Sequence, residues 1–193
     1  IAGAVLTIVL QASSATMAIT MLLAASGLID FKLAIAMVLG ENIGTTITAN
    51  IAAAVANTSA KRAARAHTIF NLIGVIWVLC LLKPIIGLIC HIMVALGFYD
   101  PVEASSQLAA IANSGVAADP EQIEMYKNSL LYGIAMLHTL FNVTNTAVLI
   151  WFVPLIEKAV VWLVKEPKGE TEVFRLKYIS GGPLSTAELS LRE

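Results

Sequence analysis

The first 29 residues of this chain carry no charged side chain, residues 33–60 carry only Glu41, and residues 129–156 carry none apart from His138. Each run exceeds the roughly 20 residues that a helix needs to cross hydrocarbon. A chain with three such runs, 58% hydrophobic and 13% charged residues belongs with membrane proteins rather than soluble ones. The formal net charge of −1 gives no electrostatic footprint for nucleic acid. Cys80 and Cys90, ten residues apart in apolar surroundings, read as small buried hydrophobes rather than metal ligands or a disulfide framework.

Two polar clusters interrupt the apolar runs: Gln11-Ala12-Ser13-Ser14-Ala15-Thr16 and Gly40-Glu41-Asn42-Ile43-Gly44-Thr45-Thr46. Hydrocarbon offers no water to such groups, so they persist at membrane depth where they face a protein interior or a cavity with a polar guest. Gln11, Ser13, Ser14 and Thr16 do not share one helical stripe, so a regular helix would turn some of them toward lipid. Unwinding removes the conflict. It frees backbone amides and carbonyls, and a half-helix N-terminus suits an anion while freed carbonyls suit sodium. In the second cluster Gly40 and Gly44 read as a small-residue packing face, but packing does not call for Glu41 and Asn42 between them. A carboxylate at that depth is paired with a cation, held by a buried partner, or protonated as part of a relay.

The pattern predicts helical segments at about 2–29, 33–57, 66–99 and 129–156. Gly27 to Lys32 forms a turn, and Asn57 to Arg65 forms a basic loop. Lys83-Pro84 divides or kinks the segment 66–99, which as one straight helix would be about 50 Å long. Residues 100–128, with Asp100, Glu103, Asp119, Glu121 and Glu124 against Lys127 and turn signals at Asn113-Ser114-Gly115 and Asp119-Pro120, belong outside the membrane. Basic residues favour the cytoplasmic side, which places Lys61, Arg62 and Arg65 there together with the tail bearing Lys165, Lys168, Arg175 and Lys177. The first two segments either span or re-enter. Residues 1–156 thus form a membrane unit and 157–193 an amphipathic segment and cytoplasmic linker, with Gly181-Gly182-Pro183 as its linker signal. Trp151, Phe152 and Trp162 fit an interfacial aromatic belt. Met17, Met21, Met37 and Met136 read as core fillers.

His67-Thr68-Ile69-Phe70-Asn71 recurs as His138-Thr139-Leu140-Phe141-Asn142, an internal echo of the kind found in transporters built from repeats. The two histidines and Asn71 and Asn142 read first as hydrogen-bonding interface residues, and as a second layer around a site if one is present. No Ser-His-Asp set, zinc spacing or phosphate loop gives an enzyme reading chemical support.

The glutamine-serine cluster at Gln11, the stretch Gly40-Glu41-Asn42-Ile43-Gly44-Thr45-Thr46, and the histidine-to-asparagine motif at His67–Asn71 come in the order that marks the type II sodium-phosphate cotransporters. The chain over residues 1–156 resembles the C-terminal repeat half of a bacterial-type member of that family. Ala12 departs from the usual serine run, and Glu41 stands where many members have a small residue. The resemblance implies an all-α, polytopic membrane protein with broken or re-entrant helices, one half of an inverted-repeat transporter in the cell membrane. It implies sodium-coupled transport of inorganic phosphate by alternating access, with no cofactor besides the coupling ion. Gln11, Ser13, Ser14, Thr16, Glu41, Asn42, Thr45 and Thr46 would line the substrate and ion site, the last three from a second broken segment, and Ser14, Thr16, Asn42 and Thr45 would hold sodium. The remaining repeat would come from upstream or from a second chain, and the tail resembles a link to a PhoU-like soluble domain. The alternatives are a phosphate-sensing or regulatory membrane protein, and a transporter of another small anion coupled to protons through Glu41.

Overall fold

A computed structural model describes residues 1–114 and 119–166. Within them the chain is helical: α1 (Ala2–Leu10), α2 (Ser13–Ala25), α3 (Phe31–Ala53), α4 (Thr58–Cys80), α5 (Leu82–Ala95), α6 (Pro101–Ser114), α7 (Pro120–Leu149), a 3-10 turn (Ile150–Phe152) and α8 (Val153–Leu163). Side-chain caps set several of these starts. Asp30 accepts from the N–H of Leu33 at 2.7 Å, Asn57 from Ala60 at 2.9 Å, and Asp119, just ahead of Pro120, from Glu121 at 3.1 Å.

The first apolar run is broken where its polar cluster begins. Gln11 takes a left-handed conformation (φ 53°, ψ 24°), the one non-glycine with positive φ among the described residues, and Ala12 is extended. The two helices then fold back on each other. The Thr7 hydroxyl donates to that of Thr16 at 3.2 Å, whereas residues nine apart on one straight helix would be separated by about 13 Å. The turn at Gln11 and Ala12 is thus the tip of a helical hairpin, with arms about 13 and 20 Å long.

α3 is the central helix, and α1 lies along it with almost no space between the backbones. A Cβ on Gly3 would come 2.1 Å from the carbonyl oxygen of Met37, and one on Gly44 would come 2.7 Å from that of Ala4. Gly40 and Gly44 therefore do form a packing face. The second cluster, by contrast, is not a break: α3 runs uninterrupted from Phe31 to Ala53. No unwinding is required, because at 100° per residue the glycines turn to α1 while Glu41, Asn42 and Thr45 occupy the neighbouring face.

Other boundaries also differ from the sequence pattern. The basic residues Lys61, Arg62 and Arg65 lie in the opening turns of α4 rather than in a loop. The interruption within 66–99 falls at Leu81, because the ring of Pro84 excludes a helical carbonyl four residues earlier, at Cys80. Residues 100–128 contain α6 and the first turns of α7, and α6 buries Pro101, Ala104, Ser105 and Leu108. Gly115 of the turn signal at Asn113 lies outside the described residues, as do Lys168, Arg175, Lys177 and Gly181-Gly182-Pro183. Cys90 is buried, but Cys80 is exposed.

The core joins Ala24, Phe31, Ile35, Val38, Val78, Ile89, Met93, Leu130, Ile134 and Phe141, with Met17, Met21 and Met136 packed against it. α4 and α7 are pinned together by Asn145, whose amide donates to the carbonyl of Phe70 at 3.1 Å and accepts from the indole of Trp77 at 3.2 Å. At the start of α4, Arg62 reaches the carbonyl of Val164 at 3.1 Å and the carboxylate of Glu166 at 2.8 Å, so α8 and the segment after it lie beside the basic end of α4. Trp151 and Trp162 are 82% and 73% exposed. Two helical runs among the described residues, Thr58–Cys80 and Pro120–Leu163, are long and apolar enough to cross a membrane.

Candidate functional site

The hairpin, α3, α4 and α7 surround a half-open cavity of about 520 Å³, within the range of roughly 300–1,000 Å³ common for small-ligand sites. α2 contributes Ser13, Ser14 and Met17 from its first turns, and α3 contributes Glu41, Asn42 and Thr45. α4 adds His67, Phe70 and Asn71, and α7 adds His138 and Asn142. Both polar clusters and both copies of the histidine-to-asparagine motif therefore meet around one space.

Each group is placed by a local constraint. α2 begins at Ser13 behind Ala12, which has no side chain to cap it, so the first N–H groups of α2 are left for another acceptor. Asn42 and Thr45 each bond back within α3, to Val38 O at 3.0 Å and Glu41 O at 2.9 Å, which fixes their rotamers beside the cavity. The two motif copies repeat one device. The amide of Asn71 donates to the carbonyl of His67 at 3.1 Å, and that of Asn142 to the carbonyl of His138 at 2.8 Å. Glu41 is 3% exposed and accepts the Thr20 hydroxyl at 3.0 Å.

Three of the residues expected at the site stand off the cavity wall. Gln11 is exposed at the hairpin tip and shapes the backbone there. Thr16 is fully buried and held between Thr7 and the carbonyl of Ala12. Thr46 is buried and bonded to the carbonyl of Ile43. His67, Asn71, His138 and Asn142, expected in a second layer, border the cavity directly. Sequence reasoning passed over Thr20 and Thr7, which hold Glu41 and Thr16. Thr20 is four residues after Thr16, one helical turn along the same face, and that spacing is the signal that would have found it.

The wall is rich in neutral hydrogen-bond donors: hydroxyls, carboxamides, imidazoles and the open end of α2. It carries one acid, and the one ion pair among the described residues, Arg62–Glu166, involves neither Glu41 nor a cavity residue. Such a set suits a small oxyanion, held by neutral dipoles, together with a cation or a proton that answers the carboxylate. Among the described residues there is no group of three or more His, Cys, Asp or Glu side chains able to hold a metal ion.

The chain is 41% identical over 87 residues to the uncharacterized protein YqeW of Bacillus subtilis, a match covering 45% of this chain and 28% of that protein. It is 34% identical over 86 residues to YjbB of Salmonella typhimurium and 32% identical over 91 residues to YjbB of Escherichia coli K12, both provisionally named inorganic phosphate export proteins. Those matches cover 45% and 47% of this chain and 16% of each relative, so the chain spans less than a third of the curated relatives it matches. No solved structure matches it significantly. The sequence pattern of the Na+/Pi-cotransporter family matches residues 1–99, which include both polar clusters and the His67–Asn71 motif, and the chain belongs to that family.

Proposed function

We propose that the cavity binds inorganic phosphate and that the full-length protein moves it across the cell membrane together with sodium, by alternating access. The observation that carries this reading is the convergence of the α2 N-terminus, Ser13, Ser14, Asn42, Thr45 and the two histidine-asparagine pairs on one half-open space. Phosphate takes hydroxyl, amide and backbone donors, and Ser14, Asn42 and Thr45 supply the oxygen ligands that suit sodium. Thr16 would join them only by releasing Thr7 and the carbonyl of Ala12. The open side of the cavity leaves room for a second repeat, from the same polypeptide or from a second copy. The hairpin is read as re-entrant, its tip near mid-membrane, with Lys61, Arg62 and Arg65 and the tail on the cytoplasmic side.

The test is radiolabelled phosphate uptake into proteoliposomes carrying the full-length protein, with sodium or potassium outside. Uptake driven only by an inward sodium gradient is expected, with Ser13→Ala and Ser14→Ala each reducing it at least tenfold, the loss of one hydrogen bond to a charged ligand. Unchanged uptake in both variants would overturn the site. Efflux without sodium would instead match the export named for the YjbB relatives.

One observation favours a second, regulatory reading. Arg62 ties the residues after α8 to α4, and an apolar space of about 470 Å³ between α4 and α8 shares His67 and Phe70 with the cavity. A tail domain that sensed phosphate occupancy would have this route to the site. Accumulation of phosphate against its gradient by the membrane part alone would set that reading aside.

A further inference from the structure

Glu41 fits poorly into a cavity built for an anion, and its position identifies what it is for. Apart from Glu41, every polar side chain on the wall can donate a hydrogen bond: three hydroxyls, three carboxamides and two imidazoles. An ionised carboxylate only accepts. One of its oxygens takes the Thr20 hydroxyl at 3.0 Å, and among the described residues the other takes no hydrogen bond, although the residue is 3% exposed and borders the cavity. No lysine or arginine pairs with it among those residues. A bare oxyanion placed between the donors and an ionised Glu41 would face a like charge, with lone pairs directed at lone pairs.

The geometry points to Glu41 as the residue that selects a protonated oxyanion. This deepens the phosphate reading and rests on it. Phosphate at neutral pH retains at least one P–O–H group, as does arsenate, and that hydroxyl donates to the free oxygen of Glu41 while the other oxygens take the donors of Ser13, Ser14, Asn42, Asn71 and Asn142. The resulting O–H···O⁻ bond is of the short, charge-assisted kind. Sulfate has the same shape but no proton, so it leaves the carboxylate unanswered. Sites built to pair a ligand hydroxyl reject analogues that lack it by roughly 10⁴–10⁵-fold. Thr20 acts as a positioning residue, occupying one oxygen so that the other faces the ligand.

Competition against labelled phosphate in the full-length protein tests this. In the wild type, arsenate is expected to compete within a few-fold of unlabelled phosphate, and sulfate to fail at ~100-fold excess. Fluorophosphate, a tetrahedral dianion with no O–H, should fail as sulfate does. Glu41→Gln presents an amide that donates to a bare oxygen, and sulfate should then compete within about tenfold of phosphate, while Glu41→Asp should still exclude it. If sulfate is still excluded by a phosphate-binding Glu41→Gln, or if fluorophosphate competes like phosphate in the wild type, the assignment of Glu41 is overturned. The fluorophosphate result decides the matter even if Glu41→Gln does not fold. A wild type that binds neither phosphate nor arsenate would refute the phosphate reading itself, a separate failure.

Discussion

The two copies of the histidine-to-asparagine motif share a pentapeptide pattern and the same internal bond, yet they are embedded differently. On α4, Phe70 borders the cavity, and three residues after Asn71 the chain has Gly74. On α7, Phe141 is 2% exposed and stacks on Trp77 with ring centres 6.4 Å apart, and three residues after Asn142 the chain has Asn145. The two helices meet at these equivalent positions. A Cβ on Gly74 would lie 2.6 Å from the Asn145 amide nitrogen, so a side chain on α7 fills the space that its counterpart on α4 leaves open. A pentapeptide thus determines its own turn of helix, while the residue one turn on determines which copy yields at the crossing.

The largest test of this comparison is to fill the gap. Gly74→Leu should destabilise the protein by roughly 3 kcal/mol or more, through overpacking and loss of both Asn145 bonds, seen as a lower melting temperature in detergent. Exchanging the pair, with Gly74→Asn and Asn145→Gly together, should recover part of that loss if the crossing is symmetric; no recovery would limit the symmetry to the pentapeptides. His67→Gln and His138→Gln should each raise the phosphate KM by about tenfold, the effect of one net hydrogen bond of roughly 1 kcal/mol or slightly more. A large effect from one and none from the other would break the functional equivalence of the two copies. Arg62→Gln should have the smallest effect, under about 1 kcal/mol of stability, because its ion-pair partner Glu166 is 59% exposed.

These copies also show how far sequence carries. The echo itself was plain, as were the lipid-length runs and the break at the first cluster, because each follows from hydrophobic content or from polar groups that no single helix face can hold. The fold-back at Gln11 was not, since it depends on a left-handed residue and on Gly3 and Gly44 admitting α1 against α3. The break expected in the second cluster comes from the family resemblance alone, and the directions of its residues around the helix make an unbroken α3 sufficient. The places of Thr16 and Thr46 off the cavity wall are not legible either, since a hydroxyl counts as polar whether it faces a ligand or bonds back to its own helix. Likewise the charges on Lys61, Arg62 and Arg65 suggest a loop, although Asn57 caps a helix that runs straight through them.

The contact between α1 and α3 sets a limit on motion. Moving α1 one residue along α3 would carry Ala2 or Ala4 into the place where Gly3 now meets Met37, and there is no room for even one methyl group. The pair is a fixed ruler, and the height of the Gln11 turn beside α3 is read off it. Any rearrangement that opens the cavity to one side of the membrane and then the other must carry α1 and α3 as one body, with the sliding surfaces elsewhere.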